Sequence, residues 1–164
     1  MKGKIKAGII GGAGYTGGEL LRLLINHPSV EIAFVNSKSN AGNPLSKVHP
    51  DLLGETDIAF SSDLTDEIDV LFLCVGHGDA AKFLKENKLA PHIHIIDLSQ
   101  DYRLDIGDSR PSVNENNFVY GLPELNRDKI RTAKHIANPG CFATAIQLGL
   151  LPLAKAGLLS DIYT

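Results

Sequence analysis

The chain has 164 residues, 43% of them apolar and 21% charged, with 16 basic against 19 acidic side chains and a formal net charge of −3. A chain of that length buries about 68–70% of its unfolded surface, which is enough for one domain with a real core. The charge balance excludes a general nucleic-acid footprint and, with the ordinary apolar fraction, disorder; no apolar run approaches the ~18 residues of a membrane span.

The basic start Met1-Lys2-Gly3-Lys4-Ile5-Lys6 is followed only by Ala7–Ile10 before glycines intervene. That is too short for a signal-peptide core, so the chain reads as cytoplasmic, with no membrane and no nucleic-acid partner. Ile5–Ile10 reads as a buried strand, Glu19–Ile25 as a helix stopped by Pro28, and Val30–Val35 as a second strand. Together they form a βαβ unit. Ser37–Leu53 is rich in Asn, Ser, Gly and Pro and reads as irregular, and Ile58–Phe60 as a short strand. Val70–Val75 is a further strand, Gly78–Lys88 a helix and Ile93–Ile96 a strand. Strands alternating with helices predict a Rossmann-like α/β fold, a parallel sheet with helices on both faces. From Ser99 to Pro123 the alternation stops, and a long polar loop is expected. Phe142–Ala156 reads as one helix with Pro152 near its last turn and Gly157 as its cap, and Asp161–Thr164 as the beginning of a strand.

Gly12-Ala13-Gly14-Tyr15-Thr16-Gly17 is a G-x-G-x-x-G run overlapped by Gly11, Gly14 and Gly17 at spacings of three. It follows a strand and opens a helix, the context in which this pattern cradles a dinucleotide pyrophosphate. Gly11, Gly14, Tyr15, Thr16 and Gly17 are therefore candidate cofactor residues; the alternative is a glycine-rich turn without a ligand. The second strand leads into Ser37-Lys38-Ser39, where an NAD site places an acid on the ribose 2′-hydroxyl. Hydroxyls and a lysine suit a 2′-phosphate, so NADP is the expected cofactor; the alternative is a solvated polar loop.

Cys74 and Cys141 are the only cysteines, and no metal site is suggested. Cys74 lies in an apolar strand and reads as structural. Cys141 stands between Pro139-Gly140 and a long helix, where unpaired amides and the positive end of the dipole favour a thiolate nucleophile and could stabilise an oxyanion. The alternative is an inert buried thiol.

The glycine run, Ala41-Gly42 with Val48-His49-Pro50, Asp97-Leu98-Ser99-Gln100-Asp101-Tyr102-Arg103, Tyr120-Gly121-Leu122-Pro123-Glu124 and Asn138-Pro139-Gly140-Cys141 occur in the order found in one family. The sequence resembles the N-acetyl-gamma-glutamyl-phosphate reductases of arginine biosynthesis and, more distantly, aspartate-semialdehyde dehydrogenase. The resemblance implies that Cys141 attacks a small-molecule acyl phosphate, expels phosphate, and leaves a thioester that NADPH reduces to a semialdehyde. It implies a phosphate contact for Arg103, whose alternative is a surface pair with Asp101 or Asp105. It also implies a pocket position for Ser99, whose alternative is turn formation, and a place for His77 near the nicotinamide.

Members of that family are roughly twice as long, and none of the six histidines here falls in its catalytic-histidine motif. The resemblance therefore implies a truncated chain: an NADP-binding domain over 1–140 and, over 141–164, the first helix of an otherwise missing catalytic domain. The general base is expected beyond Thr164, and the full-length protein is expected to be a homo-oligomer. A stand-alone NADP-binding or regulatory module remains the second expectation, and the acyl group is left open between acetyl and another.

Overall fold

Strand β1 (Ile5–Ile10) is buried at both parities from Ala7 to Ile10, as a strand covered on two faces must be. Ile9 packs with Leu21 and Val35 on one face, and Ile10 with Phe34, Leu71 and Leu73 on the other. The computed structural model, which describes residues 3–104 and 112–159, builds a sheet outward from this strand. Helix α1 (Tyr15–Leu24) covers the first face through Leu21 and leads into β2 (Val30–Asn36). Strand β3 (Val70–Leu73) pairs on the other side of β1. Helix α2 (Asp79–Glu86) sets Ala80, Phe83 and Leu84 against the second face, and β4 (His94–Asp97) follows. The sheet thus has helices on both faces, as the apolar runs predict.

The stretch expected to be a long loop contains regular structure. Strands β5 (Ser112–Val113) and β6 (Asn116–Tyr120) form a hairpin whose two-residue loop holds Asn114 and Glu115 at φ 48° and 65°. That is the turn geometry matching strand twist, reached here without the usual glycine, which is why its signal was weak. Helix α3 (Pro123–Thr132) begins on Pro123, kinks at Asn126 and buries no residue, so it has no apolar stripe to betray it. Strand β7 (His135–Ala137) is three residues long, too short for a periodicity. Helix α4 (Cys141–Lys155) matches the expected final helix and starts on the cysteine itself. The Ile58–Phe60 stretch forms only an isolated bridge, Ala59 to Pro44. The expected strand at Asp161–Thr164 lies outside the described residues.

The seven-stranded sheet runs β2-β1-β3-β4-β7-β6-β5 and is parallel except for the β5–β6 pair. The chain leaves β1 first toward β2 and then returns to β3 on the opposite side. Such a reversal opens a crevice at the carboxyl ends of the strands, the place where open α/β sheets bind ligands. The loops after β1, β2, β3, β4, β6 and β7 all emerge at that edge. Among the described residues, no helix is long and apolar enough to cross a membrane.

Candidate active site

The loop after β1 is held in its shape by contacts that exclude side chains. Gly11 adopts φ +79°, and a Cβ there would stand 2.3 Å from the Cys74 carbonyl oxygen. A Cβ on Gly17 would stand 2.5 Å from the Gly11 carbonyl oxygen, so α1 could not begin this close to the strand with any larger residue. Gly14 is the N-cap of α1 and supplies no side-chain cap. The first amides of α1 have no intrahelical partner, and such uncapped amides at a helix start are a ready cradle for a phosphate anion. Tyr15 and Thr16 stand exposed beside it. The glycine cradle and the uncapped amides fit a dinucleotide.

A residue outside the glycine run supports this loop. His49 Nε2 donates to the Gly12 carbonyl oxygen at 2.8 Å, and the ring lies so close that a Cβ on Gly18 would sit 2.6 Å from its Cε1. The irregular excursion between β2 and β3 therefore braces the turn from behind. On its other side, Gly12 N donates to the Asn36 carbonyl oxygen at 3.1 Å, joining the glycine loop to the start of Ser37-Lys38-Ser39. Ser37 is buried, and Lys38 and Ser39 are exposed. The Asn40 amide donates to both serine hydroxyls, at 3.1 Å to Ser37 Oγ and 3.2 Å to Ser39 Oγ.

The opposite flank of the glycine loop opens into a cavity of about 980 Å³. Thr16, His77, Arg103, Glu124, Asn138 and Cys141 all reach its wall, from the loops after β1, β3, β4, β6 and β7. The structure thus brings Thr16, His77, Arg103 and Cys141 together, although they span 125 positions of sequence. Ser37, Lys38 and Ser39 are absent from this wall and stand across the glycine loop, where the second end of an extended dinucleotide would reach. Cys141 is exposed at the first position of α4, whose N-cap Gly140 offers no side chain to its amides.

The segment after β4 clamps both sides of the cavity. Arg103 donates from Nε to the Asn138 carbonyl oxygen at 2.8 Å and from Nη2 to the Leu98 carbonyl oxygen at 2.8 Å. A Cβ on Gly140 would stand 3.0 Å from its Nη1, so the guanidinium lies against the turn that presents Cys141. It makes backbone bonds in place of the pair with Asp101 considered from sequence; Asp105 lies outside the described residues. Asp101 instead reaches α2, where its two carboxylate oxygens accept from Gly78 N at 2.7 Å and Ala81 N at 3.0 Å. Next to it, Gln100 N donates to His77 Nδ1 at 3.1 Å, which turns Nε2 of that ring away from the bond.

Ser99 is fully buried and is absent from the cavity wall. Its hydroxyl donates to Asp97 Oδ2 at 2.8 Å and accepts from Asp101 N at 3.0 Å. The turn-forming role is the one its contacts display. Burial pushes the Asp97 carboxyl above the usual carboxylate range, against the bonds from Ser99 that favour its charged form. Burial likewise pushes the Cys74 thiol up to about 12, with the Thr16 hydroxyl offsetting part of the rise. Sequence reasoning singled out the 97–103 motif but missed the capping role of Asp101, which depends on a contact 20 to 23 residues away. Asn40 and the bracing contact of His49 carried no local signal either.

A doubly wound parallel sheet with a glycine-rich cradle at its reversal point defines a dinucleotide-binding domain. Residues 6–133 match the family model described as semialdehyde dehydrogenase, NAD binding domain, and the chain belongs to that family. It is 60% identical over 158 residues to an N-acetyl-gamma-glutamyl-phosphate reductase of Phocaeicola vulgatus, covering 96% of this chain and 47% of that protein. A protein of the same name from Parabacteroides distasonis is 58% identical over 161 residues, covering 97% and 48%. The chain therefore spans about half the length of these curated relatives. Among solved structures, an aspartate semialdehyde dehydrogenase with NADP from Candida albicans is similar, with TM-score 0.65 at 20% identity over 94% of this chain and 48% of that one. Aspartate semialdehyde dehydrogenase II from Vibrio cholerae gives 0.66 at 16%, covering 94% and 44%. At such identities the likeness concerns the fold.

Proposed function

We propose that this chain carries the cofactor site and the nucleophile of an NADPH-dependent reduction of N-acetyl-gamma-glutamyl phosphate to its semialdehyde, a step of arginine biosynthesis. The observation that supports it best is the single cavity lined by Thr16, His77, Arg103 and Cys141. The names of the curated relatives support the substrate. In this reading residues 1–140 form the NADP-binding domain, and α4 opens a second domain.

Cys141 as thiolate attacks the acyl carbon. The carbon–oxygen bond to phosphate breaks, phosphate leaves with the electron pair, and a thioester forms on Sγ. The uncapped amides of α4 stand ready to donate to the oxyanion of the tetrahedral intermediate. Arg103, with Nε and Nη2 already anchored on backbone oxygens, presents a fixed positive charge to the leaving phosphate. Ser99 shapes the turn that aims Arg103. The cofactor, when bound, would supply the hydride to the thioester carbon; the carbon–sulfur bond then breaks, the electron pair returns to Cys141 Sγ as thiolate, and the semialdehyde leaves. Gly11, Gly14, Tyr15, Thr16 and Gly17 would hold its pyrophosphate, Ser37, Lys38 and Ser39 its 2′-phosphate, and His77 would lie at the nicotinamide side.

The acyl-transfer half-reaction tests the nucleophile without any hydride. Incubation with N-acetyl-gamma-glutamyl phosphate should release phosphate and add one acyl mass to the peptide containing Cys141. Cys141→Ser should show neither. Acylation elsewhere, or phosphate release unchanged by the substitution, overturns the assignment. Calorimetric titration tests the cofactor: NADP(H) should bind more tightly than NAD(H), and Ser37→Asp should reverse the order through repulsion of the 2′-phosphate.

A further inference from the structure

We infer that Asn40 sets the preference for a 2′-phosphorylated dinucleotide by fixing the direction in which the Ser37 and Ser39 hydroxyls donate. The inference rests on the cofactor reading above and adds to it a residue outside the Ser37-Lys38-Ser39 stretch. A serine hydroxyl has one hydrogen and two lone pairs, and it rotates to suit its neighbours. Here one amide nitrogen, Asn40 Nδ2, donates to both oxygens, at 3.1 Å and 3.2 Å. Each oxygen thereby spends a lone pair on Asn40, and its hydrogen is driven away from the amide. Both serine hydrogens are thereby left for an acceptor other than Asn40, the role the inference gives the 2′-phosphate.

A phosphate dianion accepts and does not donate, whereas a ribose hydroxyl does both. Two preset donors therefore favour the phosphate selectively, and bonds to a charged acceptor are roughly twice as strong as neutral ones. The arrangement is held from outside the loop as well. Ser37 N donates to the Ser61 carbonyl oxygen at 3.1 Å, and Asn40 N to the Ser37 carbonyl oxygen at 3.2 Å. The Asn36 side chain donates to the Ser61 and Ser62 carbonyl oxygens at 3.2 Å and 3.3 Å. The backbone is thus fixed independently of the Asn40 side chain, so that side chain is left to orient hydroxyls. Asn40 acts here as a positioning residue, working through the serines.

The test is a titration cycle with NADP⁺ and NAD⁺ on the unsubstituted chain, Asn40→Ala, the double variant Ser37→Ala/Ser39→Ala, and the triple variant. Asn40→Ala should weaken NADP⁺ binding by about tenfold, as expected for a weakened bond to a charged group, and change NAD⁺ binding by less than about twofold. In the background without serines, Asn40→Ala should have no further effect on either nucleotide. Asn40→Asp keeps the side-chain size but accepts where Asn40 donates. It should lose more than Asn40→Ala for NADP⁺, while unchanged NAD⁺ affinity and melting temperature report an intact loop. Equal losses for both nucleotides would mean that Asn40 only supports the loop, and that overturns the inference. So does an Asn40 effect that persists without the serines. If the unsubstituted chain shows no preference for NADP⁺, the cofactor reading fails first and takes this inference with it. A preference insensitive to Asn40 sinks the inference alone.

Discussion

The two thiols show how one residue type takes opposite characters from its surroundings. Cys74 is buried against the glycine loop, and desolvation of its thiolate raises its pKa to about 12. Cys141 is exposed at the head of a helix. Brief iodoacetamide treatment at neutral pH should label Cys141 and leave Cys74 essentially untouched, and peptide mapping reads the ratio. Comparable labelling in the folded chain would mean that the burial of Cys74 is wrongly placed. His135 offers a pH-dependent counterpart. It is buried beside Phe118, donates from Nε2 to the Val113 carbonyl oxygen at 3.1 Å, and has a pKa lowered mainly by burial. The folded chain therefore binds this proton less readily than the unfolded chain. The associated stability is complete above the unfolded value of about 6.5 and is lost as pH falls from there through the lowered folded value. Melting temperature should fall between pH 7.5 and 5, and His135→Gln, which keeps a donor but cannot titrate, should flatten part of that slope. An unchanged slope would show that His135 titrates alike in both states.

At the level of elements, α2 is capped from far away. Its own N-cap is Gly78 at φ +86°, which offers no side chain, and Asp101 supplies the acceptor instead. This contact ties the loop after β4 to the loop carrying His77, while Arg103 ties the same segment to the turn before α4. Asp101→Ala should cost about 1 kcal/mol, the usual worth of an N-cap, whereas Asp101→Asn, itself a good capping residue, should recover most of it. Chemical denaturation measures both, and a loss of equal size in the two variants would argue for charge rather than capping. The elements that carried clear sequence signals are those with apolar runs or amphipathic helical patterns: β1, α1, β2, β3, α2, β4 and α4. Helix α3 buries nothing, and β5 and β7 are only two and three residues long, so their existence follows from pairing and not from local pattern.

At the scale of the whole molecule, one part of the sheet keeps an apolar face that no other described residues cover. Between α1 and α3 a groove of about 940 Å³ has Phe72, Ile96 and Ile136 on its floor and Leu24 and Ile130 on its walls. Lys4, His27, Arg131 and Lys134 also line it. Parallel sheets ordinarily cover both faces. An anionic naphthalene sulfonate dye should therefore fluoresce with the native chain, and Ile96→Glu should abolish the signal while a sharp thermal transition persists. Fluorescence unaffected by Ile96→Glu would place the dye elsewhere. The sequence alone determined the α/β class, the glycine cradle and the candidacy of Cys141, because strand parity, glycine spacing and a Pro-Gly turn before a helix act within a few residues. Only the tertiary structure decided that Arg103 lies against the Cys141 turn, that Asp101 caps α2, that His49 braces Gly12 and that Asn40 holds both serines. Those contacts are made where separate loops converge at one edge of the sheet, and strand order, which no local pattern encodes, determines which loops meet there.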